Sequence, residues 1–267
     1  MADGRYKQGI NEHWGRDDLG ESIFAALAAT GKNLDALTID DLAPVDQFHR
    51  GGKLKTMELA RLAGLAPGVR VLDVGGGLGG PARTLAVEFG CRVTAIDLTE
   101  SYVRAAEQLT KRLGLSDRVT HHVGDALNLP FDDSAFDAVW TQNSGMNIAD
   151  KPRLYREFHR VLRLGGILAL QEPMAGPVQP PIFPLMWANE PADSFLRSLD
   201  EMRALIEKVG FRTKSWEELP AGTPAAPNPY GIQSLVMGDA LAAISAAGER
   251  NLSERRVVMG QGVLERI

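Results

Sequence analysis

Cysteine is nearly missing from this sequence: Cys91 is the only one among 267 residues. That excludes an internal disulfide and any cysteine-based metal cage, and it fits a reducing compartment. A basic tract is missing too. The formal net charge is -5 and the lysines and arginines are scattered among acids, so the electrostatic footprint for a nucleic-acid backbone is not expected. No run approaches the roughly 20 apolar residues that span a bilayer, and the opening MADGRYKQ carries no apolar signal-peptide core. A soluble, cytoplasmic chain is therefore the expectation. No internal repeat is visible. What remains is ordinary for a globular protein, 44% hydrophobic and 24% charged residues, which speaks against general disorder and against a fibrous repeat.

The stretch SIFAALAA at residues 22–29 reads as a short helix, and the apolar residues of 34–42 allow another. Residues 1–55 are thus expected to form an N-terminal helical cap. Residues 56–63 read as a helix closed by Gly64 and the Pro67-Gly68 turn. From there, short runs rich in Val, Ile and Leu alternate with helical patterns, the signature of βαβ units around a parallel sheet. Strands are predicted over 69–74, 91–97, 119–124, 136–142 and 166–171, and helices over 79–89, 100–113 and 151–162. This order makes an α/β, doubly wound sheet occupying residues 56–267, whose ligands lie beyond the carboxyl ends of the strands.

After Glu172 the composition changes. PMAGPVQPPIFPLMWANEP holds Pro173, Pro177, Pro180, Pro181, Pro184 and Pro191, a density that no regular helix or central strand is expected to survive. Two readings of residues 173–198 stand: a Pro-rich lid over a substrate pocket, or a long packed connection whose Phe183, Met186 and Trp187 are core. Beyond it, a helix over 199–209 ends at Gly210, and 211–219 reads as a strand. A second Pro-rich loop over 220–229, a helix over 232–247 and a closing strand over 256–265 complete the chain.

The loop after the first strand, VLDVGGGLGGPAR at 71–83, contains Gly75-x-Gly77-x-x-Gly80. Glycine there lets backbone amides and the next helix N-terminus approach a nucleotide. The spacing alone fits a dinucleotide. Asp73, however, puts a carboxylate at the loop mouth, awkward beside a pyrophosphate and tolerable beside a cation. Asp97 ends the second strand, where an acid accepts from both ribose hydroxyls of a dinucleotide or of a cationic nucleoside alike. GDALNLPF at 124–131 sets Asp125 at the end of the third strand, placed to accept from an adenine amino group. FDAVWTQNSG at 136–145 sets Gln142 and Asn143 beside the cleft, as a ligand ammonium or carboxylate would require.

Together with VTAIDLT, FHRVLRLGGILALQEP and VGF, these segments resemble the class I S-adenosylmethionine-dependent methyltransferases, in particular the small-molecule group of ubiquinone-pathway, sterol, tocopherol and sarcosine/dimethylglycine enzymes. The resemblance implies a Rossmann-like seven-stranded sheet whose last strand is antiparallel, inserted between the fifth and sixth. It implies that Gly75 and Gly77 approach the methionine moiety of S-adenosylmethionine and that Asp97 holds the ribose. Leu98 would pack on adenine, Asp125 and the Ala126 amide would read its edge, and Gln142 would lie by the methionine end. DQFHRGGKLKT at 46–56 resembles the segment that closes over the methionine carboxylate, which brings in Gly52.

Methyl transfer is an in-line displacement, so holding the nucleophile near the methyl carbon and excluding water is the main task, and a base helps only where the acceptor is an alcohol or phenol. His49, in the segment over the pocket, is the candidate base; its alternative is a structural histidine. His13 lies in the cap, while His121, His122 and His159 read as structural. Glu172 either faces the acceptor or caps local structure. Related enzymes often carry a histidine where this chain has Asn147, which removes a base from that loop. Met146, Met174, Phe183, Met186 and Trp187 suggest an apolar pocket for a lipophilic or aromatic small molecule. Three functions follow: a methyltransferase acting on an O, N or C atom of a small-molecule acceptor, with a homodimer as the candidate assembly; an S-adenosylmethionine-binding pseudoenzyme or regulatory module; or an NAD-dependent oxidoreductase, favoured only by the glycine spacing.

Overall fold

The computed structural model describes residues 10, 13–16, 18–220 and 238–267. Seven strands, β1 (Arg70–Val74), β2 (Arg92–Asp97), β3 (Val119–Val123), β4 (Phe136–Gln142), β5 (Leu162–Ala175), β6 (Phe211–Glu218) and β7 (Val257–Arg266), form one sheet in the order β3-β2-β1-β4-β5-β7-β6. The pairs among β1 to β5 are parallel, and β7 runs antiparallel between β5 and β6. This is the doubly wound sheet with an inserted antiparallel last strand expected above. Its order reverses at β1 and β4, so the cleft for a ligand opens beyond Val74 and Gln142.

The helices are α1 (Leu19–Ala29), α2 (Ile39–Asp46), α3 (Gly52–Leu62), α4 (Gly80–Glu88), α5 (Glu100–Arg112), α6 (Lys151–Val161), α7 (Leu199–Val209) and α8 (Leu241–Ser253). One sheet face packs Leu72, Val139 and Leu168 against Tyr155 and Phe158 of α6 and Met202 and Ile206 of α7. The opposite face packs Val71, Ala138 and Trp140 against Leu59 of α3 and Leu85 of α4. A third cluster joins Ile23, Leu27, Leu42 and Val45 of α1 and α2 to Leu78 of the glycine loop and to Tyr102 and Leu109 of α5. The N-terminal helices thus sit directly on the nucleotide loop. Helix α3 crosses residue 55, where the sequence reading divides cap from sheet domain.

Two local expectations change. The pattern over 34–42 is split into a 3-10 turn, Leu34–Ala36, and α2. The second start is dictated by a capping box in which Thr38 and Asp41 satisfy each other's backbone N–H. Strand β5 also runs on through Pro173 to Ala175, paired with β7. Met259, opposite Pro173, turns its carbonyl to β6 and accepts there from Leu219 N at 2.8 Å. The Pro173–Met259 pair is therefore the kind without mutual hydrogen bonds, and β4 pairing ends at Gln171, so the missing proline N–H leaves no ladder bond unmade. The loop predicted over 220–229 lies, after Pro220, outside the described residues, as does the start of the helix predicted over 232–247; α8 begins at Leu241 and continues to Ser253. No helix among the described residues is long and apolar enough to cross a membrane.

Candidate functional site

A cavity of about 410 Å³ opens at the switch point of the sheet. One half is walled by the glycine turn from Val74 to Leu78, by Asp97, Leu98 and Thr99, and by Ala126. The turn is pinned from below: the Gly75 and Gly76 amides donate to the Ile96 carbonyl at 2.8 and 3.1 Å. Gly75 adopts a φ of +74°, and a Cβ there would fall 2.2 Å from Ser144 Cβ, so the β1 and β4 loops can meet only over a glycine. Asp97 bridges two elements, accepting from the Gly77 amide on Oδ2 and the Thr99 amide on Oδ1, both at 2.9 Å. Burial raises its pKa and these amides lower it. A carboxylate has more acceptor sites than two amides fill, which leaves capacity for a diol.

Asp73 lies elsewhere than the sequence reading placed it. It is buried beneath the turn, 3.4 Å from where a Cβ on Gly76 would sit, and it does not line the cavity. Strand alternation directs its side chain under the loop rather than to the mouth. Burial, then repulsion from Asp97, pushes its pKa up to about 7. A carboxyl that is harder to ionise in the fold than in the unfolded chain stabilises the fold at low pH, and that contribution is lost as pH rises through about 7. Between pH 4 and pH 8 the wild-type chain should therefore lose on the order of 2–4 kcal/mol relative to Asp73→Asn. Urea denaturation of both proteins across that range measures it, and parallel curves would contradict it.

Below the centre of the cavity runs a buried chain of amides. His49 Nε2 donates to Gln47 Oε1 at 2.9 Å, and the single Thr56 hydroxyl hydrogen lies between two acceptors, Gln47 Oε1 at 2.9 Å and Gln142 Oε1 at 3.1 Å. Gln142 Oε1 also accepts from Trp140 Nε1, and its Nε2 donates to Gln171 Oε1, each at 3.0 Å. His49 and Gln142 line the cavity. Gln142 Nε2 is 3.4 Å from His49 Nδ1, so both ring nitrogens face protein groups. Burial pushes the His49 pKa down to about 4, which keeps the ring neutral at pH 7 and makes it a weak proton acceptor.

The other half of the cavity is mainly apolar, walled by Met146, Ile148, Leu185, Met186, Trp187 and Met259. The proline-rich segment closes it through polar ties at three points. Asn147 Nδ2 donates to the Trp187 and Asp193 carbonyls at 2.7 and 3.2 Å. Asn251 of α8, 1% exposed, accepts from Ile182 N at 2.8 Å and donates to Ile182 O at 2.7 Å. His13 Nε2 donates to the Met186 carbonyl at 2.9 Å. Asn251→Ala strands both Ile182 groups, so hydrogen exchange over 179–190 should speed by an amount matching about 1–3 kcal/mol, with cofactor affinity unchanged. Unaltered exchange would show that Asn251 does not hold the segment.

Several singled-out residues stand off the wall. Gly52 begins α3 and Asp125 turns its Oδ1 back to the Leu127 amide at 2.9 Å; neither lines the cavity. Phe183 and Met174 do not line it either, whereas Met146 and Trp187 do. Glu172, 3% exposed, accepts on Oε1 from the Ser144 and Gly145 amides at 3.2 and 3.0 Å and caps that turn from behind. The sequence reading did not foresee the wall made by Trp14, Tyr102 and α8. Tyr102 alone carried a signal, on the inward face of α5 three residues after Thr99.

The segment 72–170, from β1 into β5, matches the family model described as a methyltransferase domain. The 27-O-demethylrifamycin SV methyltransferase of Amycolatopsis mediterranei is 32% identical over 192 residues, which are 65% of this chain and 68% of that protein. This chain belongs to the S-adenosylmethionine-dependent methyltransferase family. Methyltransferase GfsG of Streptomyces halstedii is 32% identical over 174 residues, 64% of this chain and 63% of that relative, so the match spans less than two thirds of its length. The geranyl diphosphate C-methyltransferase of Streptomyces coelicolor A3(2) shares the fold, with a TM-score of 0.71 at 20% identity over 98% of both chains.

The methyltransferase family uses S-adenosylmethionine, and the wall of this cavity offers it unmatched groups. Asn143 and Tyr102 line the cavity, and their side-chain oxygens, Oδ1 and Oη, are buried without a hydrogen-bond partner. Asn143 holds a left-handed φ of 55° while its Nδ2 donates to the Phe48 carbonyl at 3.1 Å, leaving the amide oxygen as an acceptor for an ammonium. The acceptors Asn143 Oδ1 and Asp97 fit a cationic ligand with a diol.

Proposed function

We propose that this chain transfers a methyl group from S-adenosylmethionine to a small, largely apolar acceptor held under the proline-rich segment. One observation carries the reading: a single cavity joins the glycine turn and Asp97 to an apolar compartment closed by Leu185, Met186 and Trp187. S-adenosylmethionine supplies a methyl carbon already activated by its sulfonium. Residues of this chain do the rest. Gly75 and Gly77 give backbone clearance for the methionyl part, Asp97 takes the ribose hydroxyls, and Leu98 and the Ala126 amide meet the adenine. Asn143 accepts from the ammonium, with Gln142 fixed beside it by its amide chain. Asp73 lies beneath the turn, under Gly76, without touching the ligand. Asp125 shapes the turn that presents Ala126, and Gly52 lets α3 start close to the loop.

Residues 1–55 act as the cap and 173–198 as the lid, with Met146 and Trp187 against the acceptor. Excluding water and holding acceptor and methyl carbon roughly 3–3.5 Å apart supplies the rate enhancement. Of the two readings of His49, its occupied nitrogens and low basicity support the structural one. The reading takes a small molecule as partner and the cytoplasm as compartment. A screen of acceptor classes with S-adenosylmethionine labelled in its methyl group tests it: label should pass to a lipophilic compound, and transfer only to strongly charged acceptors would contradict the apolar compartment.

A further inference from the structure

Behind the wall where the two halves of the cavity meet, three side chains form a continuous line. Ser144 lines the cavity, adjoining Gly75 of the cofactor turn on one side and Met146 of the acceptor compartment in sequence on the other. Its Oγ is 2.6 Å from Thr141 Oγ1, and Thr141 Oγ1 is 3.1 Å from Glu172 Oε1. Thr141 and Glu172 are 1% and 3% exposed. With Glu172 ionised, hydrogen inventory fixes the direction of this line. An ionised carboxylate only accepts, so the one hydroxyl hydrogen of Thr141 goes to Glu172. The one hydroxyl hydrogen of Ser144 must then go to Thr141. Ser144 Oγ is left able only to accept from whatever it meets in the cavity.

We propose that Ser144, Thr141 and Glu172 form a proton relay that receives the hydroxyl proton of the methyl acceptor, which makes that acceptor an alcohol or phenol. The inference rests on the methyl-transfer reading above. As the acceptor oxygen forms its bond to the methyl carbon, the carbon–sulfur bond breaks and sulfur keeps the electron pair. The acceptor proton passes to Ser144 Oγ, the Ser144 proton to Thr141 Oγ1 and the Thr141 proton to Glu172 Oε1. The products are the methyl ether, the thioether and a neutral Glu172, and no other reactant is needed. Ser144 is the catalytic residue in this scheme; Thr141 and Glu172 act through it.

The surroundings suit Glu172 as the end of such a line. Burial lifts its pKa above the usual carboxylate range, opposed by the Gly145 amide, the Lys151 charge, the Ser144 amide and Thr141. Lys151 of α6 faces it and donates from Nζ to the Gly145 carbonyl. Tyr155 of α6 and Arg197, ahead of α7, complete the charged and titratable groups around it. Glu172 Oε2 has no hydrogen-bond partner, and Glu172 borders a small space shared with Lys151, Tyr155 and Arg197.

Two measurements test the relay, one of them without turnover. In the full chain, infrared titration should show a buried carboxyl that disappears in Glu172→Gln, a variant that keeps an oxygen for the three donors. Its pKa should rise in Thr141→Val, which removes one donor from the carboxylate, and return in Thr141→Ser; an unmoved titration overturns the line. In the labelled-methyl screen, hydroxyl compounds should be methylated, with kcat rising with pH through the Glu172 titration. Glu172→Gln and Ser144→Ala should lower kcat roughly 100-fold or more and flatten that limb, with the Kd for S-adenosylhomocysteine within twofold. Equal turnover by the variants, methylation confined to thiols, tertiary amines or carbon, or loss of S-adenosylhomocysteine affinity in Ser144→Ala overturns the relay. A wild-type chain that binds no S-adenosylmethionine refutes instead the reading on which it rests.

Discussion

Replacing Asp97 by Ala should weaken S-adenosylmethionine binding roughly 100- to 1,000-fold while leaving the fold intact. Two hydrogen bonds from ribose hydroxyls to a charged acceptor account for about 3–4 kcal/mol, since each bond to a charged group contributes roughly 1.5–3 kcal/mol. The same carboxylate holds the Gly77 and Thr99 amides, so its loss also loosens the turn beneath the ligand. The fold is spared because burial already disfavours this charge. Deleting it removes a desolvated ion, which offsets part of the cost of leaving the Gly77 and Thr99 amides unpaired, and the β2 register with β1 and β3 does not depend on it. Calorimetric titration with a parallel denaturation curve separates the two effects. Near-wild-type affinity would reject the ribose role, and a collapsed denaturation midpoint would show that Asp97 is structural first.

Arg83→Ala should be among the most destabilising single changes, costing on the order of 3–5 kcal/mol. Arg83 is 1% exposed in α4, inside the sequence stretch that carries the glycine turn. Its Nη2 donates to Asp46 Oδ2 at 2.8 Å and to the Leu78 carbonyl at 2.5 Å, and its Nη1 donates to Thr110 Oγ1 at 2.9 Å and to the Ala106 carbonyl at 3.3 Å. One guanidinium thus ties α2, the nucleotide turn and α5 around a planar cation that lysine cannot imitate. Removing it leaves Asp46 buried without its counter-ion. Burial holds the Asp46 pKa up at about 6 even with Arg83 present, so the variant should also take up a proton there and lose more stability at pH 8 than at pH 5. Urea denaturation at both pH values measures this. A loss below about 1 kcal/mol, the size of an exposed pair, would contradict a buried junction.

Much of the scaffold was legible in the residues themselves. Helix Leu199–Val209 lies where it was predicted because Ser198 and Glu201 close a capping box at one end and Gly210 takes a left-handed φ of 113° at the other. Strand Phe136–Gln142 is likewise placed residue for residue. That Gly75, Gly77, Asp97 and Leu98 gather at one cavity was readable because they follow strand ends, which order along the chain fixes, whereas Gly52 and Asp125 stand off its wall. Asp73 was misplaced for a related reason: position along a strand says that a residue is near the loop, but not whether its side chain points under it or into it. Pro173 was read as a strand stop because local chemistry forbids a donor there, while only the neighbour strands decide whether a donor is needed. The ties of Asn147, Asn251 and His13 to the proline-rich segment bring together parts of the chain 40, 69 and 173 residues apart. No local pattern encodes those pairings.

The turn, Asp97 and Asn143 are proposed here as a site for a cationic, phosphate-free nucleoside rather than for a dinucleotide. Calorimetric titration of the full chain with S-adenosylmethionine and, separately, with NAD tests it most directly. The account predicts saturable one-to-one binding of S-adenosylmethionine and none of NAD. Saturable binding of NAD with no heat from S-adenosylmethionine would contradict it.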